Sequence, residues 1–193
     1  MARGRPSKKE LILKMARELF AELGYQGTSI ELVVQRAGVS KPTVYNNFPT
    51  KQVLFEEVAA QLLQEMEASR ALLSSTYQDD QVGGLMAAFR LIASQSDHLT
   101  VYRIALGESH KLKEARRLTD AYEQSLISWC CEWLQAHGKL DENLHFITIA
   151  LCREAILIPV LFERAESLSA DAEVELRLRL NSIFGLYLEA ARE

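Results

Sequence analysis

The sequence predicts an all-α fold of about nine helices, and three observations carry that expectation. Apolar residues recur at helical spacing through nearly all of the 193 residues. No run alternates with period two long enough for a strand. Capping signals and glycine or proline stops fall at helix-length intervals, beginning with Ser7-Lys-Lys-Glu10. A length of 193 residues suits either one large domain or a small domain plus a medium one. The 48% hydrophobic and 25% charged composition is that of an ordinary globular chain.

The first helix starts at the Ser7–Glu10 capping box, carries Ile12, Met15, Ala16, Leu19, Phe20 and Leu23 as one stripe, and is expected to stop at Gly24. A second box, Thr28-Ser-Ile-Glu31, opens a helix with Ile30, Val33, Val34 and Ala37 inward, ending at Gly38. Ser40 then caps a short third helix with Pro42 in its first turn, where the missing N–H costs nothing. Val44 and Phe48 are its two anchors, and its other side chains are small, hydrogen-bonding or cationic. Three helices with a tight glycine turn between the second and third make a helix-turn-helix unit, and the third suits a DNA groove.

Pro49 ends that helix and Thr50 caps a fourth, from Lys51 to about Ser74, with Val58, Leu62, Met66, Ser69 and Leu73 as its stripe. The remaining helices are expected over 81–96, 97–110, 113–137, 141–166 and 170–192, with Asp97, Asp141 and Ser169 as caps. The organisation is a DNA-binding domain over 1–50 and a helical ligand-binding and dimerisation domain over 51–193, joined by the helix over 51–75.

Charge divides the same way. Residues 1–51 hold nine Lys/Arg against four Glu, a net of +5, within a chain whose total is −4. A basic head on an acidic body points to a polyanion partner. Three cysteines, two of them adjacent, form neither a disulfide framework nor a CxxC site, so a reducing cytoplasm is expected. No metal spacing appears among the four histidines, and no cofactor is implied. The basic N-terminus lacks the apolar run of a signal peptide. The apolar stretch 144–162 contains Thr148, Arg153, Glu154 and Pro159, which predicts a buried helix with no membrane role. No nucleophile–base pair, phosphate loop or HExxH motif supports an enzyme.

The runs Gly24-Tyr-Gln-Gly-Thr28, Ala37-Gly-Val-Ser-Lys-Pro-Thr-Val-Tyr-Asn-Asn-Phe-Pro-Thr-Lys51 and Leu54-Phe55 resemble the DNA-binding domain of the tetracycline-repressor (TetR) family, over roughly residues 7–60. Tyr102-Arg-Ile-Ala-Leu-Gly-Glu-Ser109 is similar to a sixth-helix segment common there. The resemblance implies a homodimeric bacterial transcription regulator, usually a repressor, that binds operator DNA. It also implies a pocket in the body for a small-molecule effector that releases the DNA. The chain departs from the family pattern at Pro42, where a small residue is frequent, at Asn46, where a larger aromatic or imidazole is common, and at Lys113, where a proline is frequent.

On that reading, phosphate contacts come from Thr28 and Ser29 at a helix N-terminus, the Tyr45 hydroxyl and Lys51. Base-edge contacts come from Ser40, Lys41, Thr43 and Asn46, with Lys41 suited to guanine and Asn46 to adenine. Arg3 and Arg5 flank a glycine in an arm that suits either a narrow minor groove or a solvated tail. The candidate lining for an apolar or aromatic effector is Leu62, Met66, Met86, Phe89, Tyr102, Leu106, Tyr122, Leu126, Trp129 and Trp133, each of which core packing also explains. The last two helices are apolar on two faces, so one face is expected on the body and the other on a second copy. The interface candidates are Phe146, Leu157, Leu161, Val174, Leu178, Asn181, Gly185 and Leu188. A two-fold dimer places two recognition helices about 34–36 Å apart on a palindromic site. A helical adaptor or ligand-binding protein, using the helix-turn-helix for protein contacts, is the alternative.

Overall fold

The computed structural model describes residues 7–110, 113–137 and 142–190. All the regular structure in them is helical: α1 (Lys8–Gly27), α2 (Ile30–Ala37), α3 (Lys41–Asn47), α4 (Lys51–Thr76), α5 (Gln81–Ala93), α6 (Ser96–Glu108), α7 (Lys113–His137), α8 and α9. α8 is made of Glu142–Cys152, a π turn at Arg153–Leu157 and a last α turn at Ile158–Leu161; α9 is Ala170–Ala190. That gives nine helices among the described residues, as the sequence predicts. Asp141, expected as a cap, lies outside them.

The chain divides into two compact units. The first holds the chain through Gln64 together with Ser96–Ala121; the second holds Glu65–Gln95 and the chain from Tyr122 on. Packing therefore groups α6 and the start of α7 with the first three helices, and α4 contributes residues to each unit.

In the first unit the Ser7–Glu10 box forms on both sides: Glu10 N–H donates to Ser7 Oγ, and Ser7 N–H donates to Glu10 Oε2. α1 buries Ile12, Ala16, Leu19 and Phe20, then breaks at Gly24, whose φ of 68° a side chain would resist. The next turn carries Tyr25, whose ring stacks with Phe20 and meets Phe55 of α4 edge-on, at centroid distances of 6.1 and 5.3 Å. Leu23, expected in the stripe, is exposed beside the break. Arg17 Nε donates to Asp97 Oδ2 at 2.5 Å, tying α1 to the first turn of α6. Burial pushes the Asp97 carboxyl up, but the Arg17 hydrogen bond and charge outweigh it and hold it below the usual range.

The expected cap of α2 shifts by one residue. Ser29 is the N-cap, accepting from Leu32 N–H at 3.2 Å. Thr28 is buried, and its hydroxyl donates to the carbonyls of Leu19 (3.1 Å) and Gly24 (2.8 Å) of α1. Thr50 caps α4 as expected, through Val53 N–H.

In the second unit α5 is buried along nearly its whole length, from Val82 to Phe89. Asp80 caps it by accepting from Gly83 N–H and pairs with Arg177 of α9 at 2.9 and 3.0 Å. Trp133 of α7 lies directly on Gly84 and donates from Nε1 to Gln81 O at 2.9 Å. Its ring stacks on Trp129 at 5.2 Å.

The end of α8 departs from expectation. Pro159 cannot donate to the Ala155 carbonyl, and the π turn widens the helix immediately before it. The extra residue turns later side chains by about 100°. Leu157 and Leu161, expected on the outer face with Phe146, are for that reason inside the core with Cys152 and Ile156. The helix stops at Leu161, short of 166. Glu163 takes a φ of 56°, and Arg164 N–H reaches back to Pro159 O while Glu163 N–H reaches Val160 O, closing a Schellman motif. Ser169 caps α9 as expected, and Leu176, Leu180 and Phe184 form its buried stripe.

A Cβ on Gly84 would sit 2.2 Å from Trp133 Cζ2, whereas one on Gly107 of α6 would meet nothing within 4 Å. Gly84→Ala is expected to cost about 1–3 kcal/mol by overpacking, and Gly107→Ala to be neutral or mildly stabilising. Thermal unfolding checks this; equal midpoints for the two variants would contradict the packing account.

Candidate nucleic-acid interface

The helix-turn-helix is built on one left-handed residue and two anchors. Gly38 has φ 62° and ψ 32°, and its N–H caps α2 on the carbonyls of Val34 and Gln35. Ser40 caps α3, accepting from Thr43 N–H at 3.4 Å, and its hydroxyl shares a 2.7 Å hydrogen bond with the Thr43 hydroxyl. Pro42 sits in the first turn. Val44 and Phe48 have no exposed surface, so α3 is pinned along one side. The opposite side presents Lys41, Pro42, Tyr45, Asn46 and Asn47 to solvent.

The structure brings Ser40, Lys41, Thr43, Tyr45 and Asn46 together on this helix and its cap. Asn46 is exposed and makes no internal hydrogen bond, so its amide keeps both donor and acceptor for a base edge. Asn47 uses its amide locally, donating to Thr43 O at 2.8 Å. Ser29 is half-buried at the N-terminus of α2. Thr28 does not present its hydroxyl to a phosphate, because that group is buried on the Leu19 and Gly24 carbonyls. Arg3 and Arg5 lie outside the described residues.

Lys51 is half-buried. Its ammonium donates to Tyr25 O at 2.8 Å and lies 4.3 Å from the centroid of the Tyr25 ring, and burial lowers its pKa. It therefore closes the turn after Gly24, and two N–H groups remain for a further acceptor.

Sequence reasoning read Glu31 only as part of a capping box and missed its place on this face. Its Oε1 accepts from Lys41 Nζ at 2.9 Å and from the Tyr45 hydroxyl at 3.3 Å. Lys41 Nζ also lies 5.5 Å from the Tyr45 ring centroid. The Lys41 hydrogen bond and charge lower the Glu31 pKa, and Glu31 raises that of Lys41. One carboxylate thus holds two of the expected DNA-contacting groups. Nearby, Arg36 makes a two-pronged pair with Glu22 at 3.1 and 3.0 Å.

In the second unit Phe146, Val174 and Leu178 are 74%, 59% and 62% exposed, and Asn181 and Gly185 are exposed with them. The side chain of Leu188 lies outside the described residues. Of the ten candidate lining residues, Leu62, Met66, Met86, Phe89, Tyr102, Tyr122, Leu126 and Trp133 are buried, and Leu106 and Trp129 half-buried. None of them lines the cavity of about 530 Å³ that Ile127, Cys131, His145, Phe146, Ile149 and Arg153 help to form between α7 and α8.

Glu31→Gln removes the carboxylate that neutralises Lys41, so the Lys41 charge becomes available to the polyanion as a phosphate contact would be. Each added phosphate contact steepens the slope of log K against log salt by about 0.9. The variant is expected to show that change on duplex DNA, and adding Lys41→Gln is expected to reverse it. Identical slopes for wild type and Glu31→Gln, measured by fluorescence anisotropy, would remove the ion pair from the binding equilibrium.

A family model described as bacterial regulatory proteins, tetR family, matches residues 12–58. The chain is 42% identical over 60 residues to the uncharacterized HTH-type transcriptional regulator YhgD of Bacillus subtilis, across 31% of each protein. It is 26% identical over 117 residues to the HTH-type transcriptional repressor KstR2 of Mycolicibacterium smegmatis, across 59% of this chain and 53% of that one. The matched part thus spans from about a third to about half of these relatives' length. A TetR-family transcriptional regulator from Agrobacterium tumefaciens has the same fold, with a TM-score of 0.69 and 24% identity over 91% of this chain and 96% of its own. The helix-turn-helix thus lies within a segment, residues 12–58, that is similar to the bacterial regulatory proteins of the tetR family, and the chain as a whole shares its fold with a regulator of that family.

Proposed function

We propose that this protein is a cytoplasmic, homodimeric repressor that binds a palindromic operator through α3 and is released by a small apolar or aromatic effector. It acts by binding and not by catalysis, without cofactor, metal or membrane. The observation that carries the reading is the two-sided character of α3: Val44 and Phe48 wholly buried, Lys41, Tyr45 and an unengaged Asn46 outward. A helix held that firmly with hydrogen-bonding groups facing water suits base readout.

The repressor role draws support from the similarity to KstR2, a transcriptional repressor. Dimerisation draws support from Phe146, Val174 and Leu178, three large apolar side chains left in solvent on the last two helices. The two-fold symmetry of such a dimer matches a palindrome. The proposed DNA contacts are Ser29, Ser40, Lys41, Thr43, Tyr45, Asn46 and Lys51, with the arm residues Arg3 and Arg5. The proposed effector lining is the apolar set around Met66, Met86, Tyr122 and Leu126.

Selection of bound genomic fragments is expected to return a palindromic motif upstream of promoters. Asn46→Ala is expected to relax one position of each half-site by roughly 1–3 kcal/mol. A motif unchanged in the variant would remove Asn46 from readout. Sedimentation equilibrium is expected to give a dimer at micromolar concentration, and Leu178→Glu a folded monomer. A monomeric wild type would sink the dimer reading.

A further inference from the structure

Arg70 is the only buried arginine among the described residues, with 2% exposure, yet it meets no carboxylate directly. Arg17, Arg36, Arg90, Arg153, Arg177 and Arg179 each pair with one. Arg70 sits on the inward stripe of α4, one turn from Met66 and from Leu73. Its Nη2 donates to the Ser125 hydroxyl, a neutral acceptor, and Ser125 passes a hydrogen bond to Glu67 Oε1 at 2.9 Å on the exposed side of the same helix. Its Nε is buried with no partner. Glu67 is the carboxylate whose charge bears on it.

A guanidinium stays charged when buried and needs acceptors in the plane of its fork. The Nε–H and Nη2–H groups lie side by side and match the two oxygens of a carboxylate. Here one of those N–H groups is satisfied by a hydroxyl and the other by nothing. The second half of α4 and the facing stripe of α7 thus supply a desolvated cation with an unfilled edge. Met66 and Leu73, one turn to either side on the same stripe, are buried with it, and the unbranched Met66 is the one better able to yield space.

We propose that Arg70 is the anion-binding residue of an effector site between α4 and α7, and that the effector is an apolar molecule bearing a carboxylate. The carboxylate accepts from Nε and Nη2, and the tail lies along Met66, Leu73 and Leu126. The proposal rests on the effector reading above and specifies the ligand's chemistry.

The test uses the full-length protein and two matched probe pairs, octanoate with octanamide and benzoate with benzamide, followed by titration calorimetry and thermal shift. At least one carboxylate is expected to bind wild type about tenfold or more tightly than its amide, since a charge-assisted fork is lost in the amide. That preference is expected to vanish in Arg70→Gln. Ser125→Ala, which leaves Arg70 in place, is expected to keep it, and decides the matter should Arg70→Gln not fold. Equal binding of acid and amide by wild type, no binding of either acid, or an undiminished preference in Arg70→Gln would overturn the site. A carboxylate that binds through Arg70 but leaves the DNA complex intact would keep the site and defeat the effector reading. Release of DNA by neutral apolar compounds alone would do the reverse.

Discussion

A seven-residue helix does not hold its shape in water, and α3 exists because Val44 and Phe48 are both sealed from solvent. That constraint explains much of the first unit. Gly38 must be left-handed so that α3 can turn back onto the core, and Ser40 must cap it because so short a helix has few internal hydrogen bonds. The Phe20, Tyr25 and Phe55 rings stiffen the first unit, and Lys51 fastens the irregular turn that carries Tyr25. Once the anchors are set, the opposite side chains of α3 have a fixed direction, and readout of a groove becomes a matter of which groups stand there.

Charge is then adjusted on that platform. The head is basic within an acidic chain, but several of its cations are already engaged. Arg36 is held by Glu22, Lys41 by Glu31 and Lys9 by Glu57. Exposed pairs of this kind add little to stability. Their weight falls on association, because a cation must leave its carboxylate before it can meet a phosphate. Glu31 stands out since it engages both Lys41 and Tyr45, the cation and the hydroxyl of the same helix face. Arg70 presents the converse case in the second unit, a buried cation with no carboxylate of its own.

Local signals were legible and non-local ones were not. The Ser7–Glu10 box, the Gly38 turn, the Ser40, Thr50 and Ser169 caps and the Val44 and Phe48 anchors each depend on a few neighbouring residues, and each is readable from them. Thr28 and Ser29 look alike as caps, and what separates them is the pair of α1 carbonyls, of Leu19 and Gly24, that the fold brings to the Thr28 hydroxyl. Periodicity places Ser69 and Arg70 equally well on the α4 stripe, and polarity favours the serine; the core takes the arginine. A constant helical period cannot foresee the π turn before Pro159, so Leu157 and Leu161 fell on the wrong face while Phe146, ahead of the turn, did not. His145, Thr148 and Cys152 line the buried side of α8, and apolar periodicity does not mark the first two.

The central claim is that α3, fixed by its two anchors, is the surface that meets DNA. Hydrogen–deuterium exchange on the full-length protein, with and without a duplex carrying the selected site, tests it most directly. Added protection is expected to concentrate in residues 29–47, with α5 at 81–93 unchanged. Protection that leaves 29–47 untouched while the duplex is bound would contradict it.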